Sequence, residues 1–346
     1  MSVKILGAGA MGSLVGHELA RSGRVAPVLL FRFKERLDRF SADGSKITVV
    51  RTQDENVESS TAVMEGELAP SGLSNEKIQN LVVSTKSYAT IDALKPYVPY
   101  LDESSNVLIL QNGMGMAEKL KGAFWAASSS KIPTFYEAIS THGAYKPSPN
   151  IVNHVGLGKL TISPAGINTG SVNEKPELVK ALLDCHRLNA CCVSQDDMLL
   201  TQMEKLIVNA CINPLSALLD CLNGDLLYGS QVVPIMKRVI AEALDCFGVE
   251  FGKRIADIDG AKTFLNRERL LNSVLKICKD TAQNSSSMRE DVRHMRTTEV
   301  EAINGYIWDL GKKHSVPTPV NRMLVFMVQN KVSIERGIEK SALEEL

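Results

Sequence analysis

A glycine-rich turn lies between the first strand-like segment and the first helix-like segment. Residues 7–13 read GAGAMGS and follow an apolar run at residues 3–6. In a strand–turn–helix unit of this kind, three spaced glycines allow a tight turn, a close approach of the backbone to a pyrophosphate, and packing of helix against strand. The helix N-terminus adds unpaired N–H donors. The pattern therefore predicts a dinucleotide-binding turn, the alternative being an ordinary turn of small residues, at Gly7, Ala8, Gly9, Ala10, Met11 and Gly12.

The end of the second strand-like segment indicates which dinucleotide is bound. Residues 26–31 are apolar, and Arg32 follows them where NAD-binding chains usually carry an acid for the ribose hydroxyls. Lys34 and Arg36 come next. A guanidinium can bind a 2′-phosphate with two hydrogen bonds, whereas a carboxylate would repel it. The segment therefore predicts NADP(H) with Arg32 as a ligand. A solvated basic turn is the alternative, because acidic residues lie in the same segment.

Composition excludes several classes of protein. The chain has 346 residues, with 39 Lys plus Arg and 39 Asp plus Glu, so its formal net charge is zero. Neither nucleic acid nor a membrane surface is an expected partner. Seven cysteines without C-x-x-C spacing favour reduced thiols, and no metal site is expected. With a strand-like segment beginning at residue 3, we expect no signal peptide, a cytoplasmic location, and a monomer or homodimer.

The hydrophobic patterns change character near residue 194. Before it, strand-like and helix-like segments alternate, as in a parallel sheet covered by helices. After it, nearly every segment has helical spacing. We therefore predict an α/β dinucleotide-binding domain at residues 1–195 and an all-helical domain at 196–346 that carries substrate and catalytic residues. Residues 51–79 are polar and are assigned no element. The other expected segments are buried strands at 80–85 and 106–110, antiparallel strands within 130–164, a helix at 176–188, a strand at 190–193, and helices at 198–222, 232–251, 261–282, 298–313 and 320–331.

A polar stripe lies in an apolar helix-like segment at residues 203–218. Lys205, Asn209 and Asn213 are four residues apart, so they share one helical face. Pro214 cannot donate to the carbonyl of residue 210, which predicts a bend or restart there and free polar groups beside it. Such a stripe faces either a ligand or water.

A second polar cluster lies at residues 285–305. Ser287 precedes or begins a short helix, and Thr297 or Thr298 can cap the helix that contains Glu299. Acidic residues in a first helical turn also have a simpler explanation, because they offset the helix dipole.

The order and spacing of these motifs resemble those of ketopantoate reductases (2-dehydropantoate 2-reductases), and the resemblance covers nearly the whole chain. Beyond the turn, Arg32 and the two clusters, the matching pieces are VSTK ending at Lys86, QNGMG at 111–115, STHGA at 140–144, NHVGLG at 153–158, KLIVNACINPLSAL at 205–218, SSM at 286–288, TEVEAING at 298–305 and HSVPTPVN at 314–321.

The resemblance implies a fold, a reaction and a set of roles. The fold would be a Rossmann-type α/β domain followed by an all-α domain, as in 6-phosphogluconate dehydrogenase. The reaction would be the NADPH-dependent reduction of ketopantoate to D-pantoate, on the route to pantothenate and coenzyme A. Lys205 matches the proton donor and Glu299 the carboxylate that orients it. The remaining matches are Asn209, Asn213 and Ser287 for the substrate, Asn112 for substrate and nicotinamide, and Lys86 for the cofactor.

Two other functions are compatible with these motifs. Relatives in the same superfamily act on other 2-keto acids, so a D-2-hydroxyacid dehydrogenase of the D-mandelate type is one alternative. A non-catalytic NADP(H)-sensing protein is another, although such a protein has no need of both Lys205 and Glu299. The chain departs from many family members at 88–90, where it reads YAT, and this affects the expected adenine contacts.

Overall fold

The structure is a computed structural model, and it falls into two compact units. The first unit comprises Met1–Gln111 and Gly115–Met198, and the second comprises Asn112–Met114 and Leu199–Leu346. Residues 112–114 thus group with the second unit, which the sequence analysis did not anticipate. The described residues are 1–53, 56–69, 77–125, 130–166 and 175–344.

All the strands of the described chain lie in the first unit, where they form an eight-stranded and a four-stranded sheet. Their bounds are β1 (Ser2–Leu6), β2 (Ala26–Phe31), β3 (Lys46–Gln53), β4 (Asn56–Val63), β5 (Glu65–Leu68), β6 (Asn80–Val83), β7 (Asn106–Leu110), β8 (Thr134–Ser140), β9 (Gly143–Ser148), β10 (Ile151–Gly156), β11 (Leu160–Pro164) and β12 (Ala190–Cys192).

The larger sheet has the order β12-β11-β8-β7-β6-β1-β2-β5. Every neighbouring pair is parallel except β8 with β11. Its central strands are buried on both faces, because Leu81 and Val83 of β6 enter one apolar core and Val82 enters the other. Such strands read as continuous apolar runs, as the sequence pattern indicated.

The smaller sheet has the order β4-β3-β10-β9. The antiparallel strands expected within residues 130–164 are present as two pairs, β8 with β11 in the larger sheet and β9 with β10 in the smaller one. The sequence did not predict their division between two sheets. The polar segment 51–79, which received no element, contains β4 and β5. It could not be assigned because β4 is almost wholly exposed and carries no apolar alternation. Residues 54–55 and 70–76 lie outside the described residues.

Helices cover the larger sheet and make up the second unit, which confirms the predicted fold class of an α/β domain followed by an all-helical one. The described helices are α1 (Ala10–Arg21), α2 (Lys34–Ala42), α3 (Thr90–Leu94), α4 (Met116–Phe124), α5 (Glu177–Leu183), α6 (Gln195–Leu219), α7 (Val232–Glu250), α8 (Gly252–Ala256), α9 (Ala261–Phe264), α10 (Arg267–Asp280), α11 (Ser287–Arg293), α12 (Val300–His314) and α13 (Pro319–Glu344).

Three helix predictions need correction. The segment expected as one helix at 261–282 is two helices, because Asn266 caps α10 by accepting from the backbone N–H groups of Glu268 and Arg269 at 3.0 and 3.1 Å. The helix expected at 176–188 is only α5 followed by a short 3-10 turn. The last helix, α13, continues well past residue 331.

A buried network of ionisable groups joins the smaller sheet to α1. Arg51 of β3 contacts Glu18 of α1, and its Nε donates to Nδ1 of His154 at 3.1 Å. The proton of the His154 ring is therefore on Nε2, which donates to Nδ1 of His142 at 3.0 Å. The His142 ring in turn donates from Nε2 to the Leu188 carbonyl at 2.9 Å. Both rings are thus held neutral. Burial lowers the pKa of each, that of His154 to about 4.

Candidate active site

The glycine-rich turn is built so that two of its glycines are sterically required. Gly7 has φ +113°, and a Cβ there would lie 2.7 Å from backbone atoms of Ser84 and Thr85. A Cβ on Gly12 would lie 2.0 Å from the Gly7 carbonyl oxygen. These contacts bring the start of α1 against the end of β6, as a dinucleotide-binding turn requires.

The remaining glycine of the turn, Gly9, differs from Gly7 and Gly12 because open space lies where its Cβ would be. It occupies the N-cap position of α1, and a Cβ built on it would meet no atom within 4 Å. No side chain caps this helix, and its first turn contains no acidic residue. An anion can therefore reach the backbone N–H groups at the N-terminus of α1, so this part of the chain fits the pyrophosphate of a dinucleotide.

Exposed cations follow β2. Arg32 lies directly after this strand, and its guanidinium carbon is 5.4 Å from the centroid of the Phe33 ring. Lys34 donates to Asp38 at 2.9 Å, so an acidic neighbour neutralises it. Arg32 and Arg36, in contrast, form no ion pair with any residue that the structure describes. All three cations are exposed, and the two arginines keep their charge available to an anion.

The turn after β6 contains Lys86. Its carbonyl accepts from the Thr90 hydroxyl at 3.1 Å, and Gln111 donates from Nε2 to the hydroxyls of Thr85 and Thr90. These bonds tie the carboxyl ends of β6 and β7 together, at the edge of a parallel sheet where ligands bind in such folds. Tyr88, at the departure from the family pattern, is exposed.

A lysine and a carboxylate interact in the second unit, although 94 positions separate them in the chain. Lys205 is half-buried on α6, and Glu299, only 6 % exposed, occupies the N-cap position of α12. Burial lowers the pKa of Lys205 to about 8, and the charge of Glu299 opposes that shift. The amine is therefore an ammonium at neutral pH but gives up its proton more readily than a surface lysine.

Asn112 belongs to the same group. Its Nδ2 donates to Oε2 of Glu299 at 3.2 Å. The neighbouring Gly113 has φ +92°, and a Cβ there would lie 2.7 Å from the Ala302 carbonyl oxygen of α12. This close packing explains why residues 112–114 group with the second unit. The structure thereby brings three predicted site residues together in one unit.

Pro214 lies inside α6, which continues from Gln195 to Leu219, so the restart that was one of the two expected outcomes was wrong. Pro214 has no backbone N–H, so the carbonyl of Ala210 lacks its helical donor. It accepts instead from Nδ2 of Asn304 at 3.1 Å. Asn304 also donates to Asn321 at 3.0 Å, and Nδ2 of Asn321 donates to the carboxylate of Glu242 at 2.7 Å. The freed backbone group is thus satisfied by a buried amide network and not by a ligand.

An unbroken α6 keeps Lys205, Asn209 and Asn213 on one helical face. Asn209 is half-buried and Asn213 is 8 % exposed, so the stripe is not a solvent-facing one. Such partly buried amides can hydrogen-bond a small polar ligand without adding charge to the site.

The predicted substrate residue Ser287 is the exposed first residue of α11. Its neighbour Ser286 is the N-cap, which accepts from the backbone N–H of Arg289 at 3.1 Å and from the hydroxyl of Ser216 in α6 at 2.7 Å. These bonds fix the start of α11 to α6. At α12, neither predicted threonine is the cap residue, and Thr298 only accepts a long 3.5 Å bond from the Val300 N–H.

Sequence reasoning missed several residues at these sites. Lys146 of β9 donates to the carbonyl of Ala8 and to the hydroxyl of Ser13 in the glycine-rich turn. No sequence pattern marks it, since 138 positions separate it from Ala8. Asn304 and Asn321 lie in the TEVEAING and HSVPTPVN motifs that carried the resemblance, which was the one available signal for the amide network.

Neither a metal-binding cluster nor a membrane-spanning helix is present among the described residues. Among them, no group of three or more His, Cys, Asp or Glu side chains could hold a metal ion. None of the helices in the described ranges is long and apolar enough to cross a membrane.

A parallel sheet with a glycine-rich first turn, followed by a helical unit that holds a lysine–carboxylate pair, defines a class: oxidoreductases that use a pyridine nucleotide. Two family models narrow the class, "Ketopantoate reductase PanE/ApbA" at residues 3–166 and "Ketopantoate reductase PanE/ApbA C terminal" at residues 197–332. The chain belongs to the ketopantoate reductase family.

Individual relatives agree with this assignment. A probable 2-dehydropantoate 2-reductase of Schizosaccharomyces pombe is 34% identical over 97% of both chains. The 2-dehydropantoate 2-reductase of Saccharomyces cerevisiae is 30% identical over 88% of this chain and 87% of its own. A solved structure of D-mandelate dehydrogenase with NADH and anilino(oxo)acetate has a TM-score of 0.79, with 22% identity over 96% of this chain and 99% of its own. At that identity the likeness concerns the fold alone.

Proposed function

We propose that this protein reduces 2-dehydropantoate (ketopantoate) to D-pantoate with NADPH as hydride donor. The observation that carries the proposal is the group formed by Lys205, Glu299 and Asn112, in which the ammonium of a half-buried lysine interacts electrostatically with a buried carboxylate. The reaction would serve pantothenate and coenzyme A synthesis. The curated relatives from the two yeasts bear the name of this activity.

The proposed chemistry assigns the proton to Lys205. The reduced nicotinamide supplies a hydride to the keto carbon, which builds negative charge on the carbonyl oxygen. An ammonium within hydrogen-bond reach stabilises that charge and then gives it a proton. Glu299 keeps the amine protonated at neutral pH and holds it in place, and Asn112 in turn restrains the carboxylate.

The remaining residues of the proposed site recognise the substrate. Asn209 and Asn213 share a helical face with Lys205, so their amides suit a hydroxyl close to the reacting carbonyl. Ser287, at the N-terminus of α11, suits the carboxylate. A site that pairs a substrate hydroxyl rejects an analogue without it by up to ~10⁴-fold, far more than a missing methyl would cost.

A panel of 2-keto acids tests the activity. We expect NADPH oxidation with a much higher kcat/KM for ketopantoate than for 2-ketoisovalerate, which has the branch but not the hydroxyl. Faster turnover of phenylglyoxylate than of ketopantoate would instead assign a mandelate-type function and leave the two asparagines a structural role. Nucleotide binding without turnover of any keto acid would identify a sensor.

The cofactor preference rests on Arg32, which follows β2 and has no ion-pair partner in the described chain. Replacing it with Ala should raise the KM for NADPH by ~10- to 100-fold and leave that for NADH nearly unchanged, because a charge-assisted hydrogen bond contributes ~1.5–3 kcal/mol. Lys34→Ala is the matched control, since Asp38 already neutralises this lysine. Equal losses for both nucleotides would remove the 2′-phosphate role from Arg32.

A further inference from the structure

Lys146 connects the smaller sheet to the glycine-rich turn. It lies on β9, and its ammonium donates to the carbonyl of Ala8 at 3.0 Å and to the hydroxyl of Ser13 at 3.2 Å. The side chain is half-buried. An ammonium has three donors, and these two bonds leave one of them for another acceptor.

The electrostatic surroundings of Lys146 are cationic. Burial, with a contribution from the nearby charge of Arg36, lowers the pKa of this lysine to about 8. Within the described ranges, neither Lys146 nor Arg36 forms an ion pair. Two neighbouring cations repel each other when no carboxylate neutralises them. An anion that binds both cations removes this repulsion.

Arg36 lies in the first turn of α2, four positions after Arg32, which follows the end of β2. In a dinucleotide-binding fold the adenosine ribose lies at the end of this strand, whereas the pyrophosphate lies over the N-terminus of the first helix. An anion that Lys146 shares with Arg36 is therefore on the ribose side of the turn.

We propose that Lys146 is a specificity-determining residue whose ammonium, together with Arg36, binds the 2′-phosphate of the nucleotide while it holds the carbonyl of the glycine-rich turn. The inference rests on the proposed use of NADPH. The 2′-phosphate would then be bound by a lysine of the smaller sheet in addition to Arg32, which follows β2. The smaller sheet would thereby contribute to cofactor selection.

Direct binding of NADPH and NADH, measured by titration calorimetry on the full chain, tests the inference. Lys146→Met should raise the Kd for NADPH by ~10- to 100-fold and change the Kd for NADH by less than about twofold, because only NADPH carries the phosphate. Lys146→Arg, which keeps the charge, should restore most of the affinity. Arg36→Met should show the same selective loss and serves as a second variant should Lys146→Met not fold.

Lys46→Met is the matched control, because Lys46 is an exposed lysine of the same sheet and its loss changes the net charge equally. It should leave both Kd values unchanged. Equal weakening of NADPH and NADH in Lys146→Met, or no weakening of either, would overturn the inference while wild-type binding of NADPH still stands. Failure of the wild-type protein to bind NADPH would overturn the proposed cofactor and this inference together.

Discussion

Each unit of the molecule holds a half-buried lysine whose pKa burial lowers to about 8, but the two lysines have opposite neighbours. Lys146 in the first unit is near Arg36, and its bonds go to a carbonyl and a hydroxyl. Lys205 in the second unit is near the carboxylate of Glu299. A cation beside a cation favours an anionic ligand, whereas a cation beside a carboxylate keeps a proton that it can donate. The neighbour, and not the pKa itself, distinguishes the two roles.

The polar networks of the two units differ in the same way. In the first unit, Glu18, Arg51, His142 and His154 form a network of ionisable groups beneath the smaller sheet. In the second, Asn304 and Asn321 join the Ala210 carbonyl to Glu242 through amides. The stability that the first network confers should therefore depend on pH below about 6.5, whereas that of the second should depend on single hydrogen bonds.

The largest expected effect separates the two lysines by kinetics. Lys205→Ala should lower kcat by ~10²–10⁴-fold because the developing charge loses its proton donor, while nucleotide binding persists. Lys146→Met should act mainly through nucleotide affinity. Steady-state kinetics together with calorimetry check both, with Lys276→Ala as a control because Lys276 is exposed and paired with Asp280. A near-normal kcat in Lys205→Ala would assign the proton to another group.

A second effect concerns the stability of the helical unit. Asn304 is fully buried, and Asn304→Ala leaves the Ala210 carbonyl and Oδ1 of Asn321 without the donor that they share. We expect a loss of about 2–3 kcal/mol in the free energy of unfolding, since each of the two buried acceptors left without a donor costs about 1–3 kcal/mol. Denaturant unfolding measures it.

Pro214→Ala tests whether Asn304 is needed because the proline lacks a backbone N–H. It returns a backbone N–H to the Ala210 carbonyl, so Asn304→Ala should cost less in that background than in the wild type. Equal costs in both backgrounds would show that the amide does not compensate for the proline.

A smaller effect concerns the histidines of the first unit. His142 and His154 are neutral in the folded state and have lowered pKa values, so the unfolded chain takes up protons first as pH falls below about 6.5. The stabilising contribution of the neutral rings should be fully present above that pH and decrease by about 1–2 kcal/mol between about pH 6.5 and about pH 5. His154→Gln should flatten this dependence, whereas His186→Gln should not, because His186 is exposed. A wild-type stability that is constant over this range would contradict the neutral assignment.

Local sequence rules predicted what is locally determined. The turn at residues 7–13 lies between a strand and a helix that are its immediate neighbours, so its glycine spacing carries the prediction. The same rules wrongly allowed a helix restart and a free carbonyl at Pro214. They could not foresee that Asn304, 94 positions away from Ala210, would donate to the Ala210 carbonyl.

Local sequence patterns could not predict the contacts between distant segments of the chain. The pairing of Lys205 with Glu299 came from resemblance to a family, since no spacing rule joins two residues so far apart. Lys146 had neither a local pattern nor a family motif, and its position depends on how β9 approaches the glycine-rich turn. Strand β4 of the smaller sheet was missed for a different reason, because it is almost wholly exposed and lacks the apolar alternation that reveals half-buried strands.

The central claim is that Lys205 donates the proton and that Glu299 raises the pKa of this lysine. The pH dependence of kcat/KM for ketone reduction tests it most directly. In the wild type, kcat/KM should fall as pH rises through about 8, where the ammonium loses its proton. The carboxylate raises the pKa of Lys205, so in Glu299→Gln the fall should begin at lower pH, whereas Glu301→Gln, at an exposed neighbouring carboxylate, should leave the profile unchanged. A basic limb that keeps its position in Glu299→Gln would contradict the account.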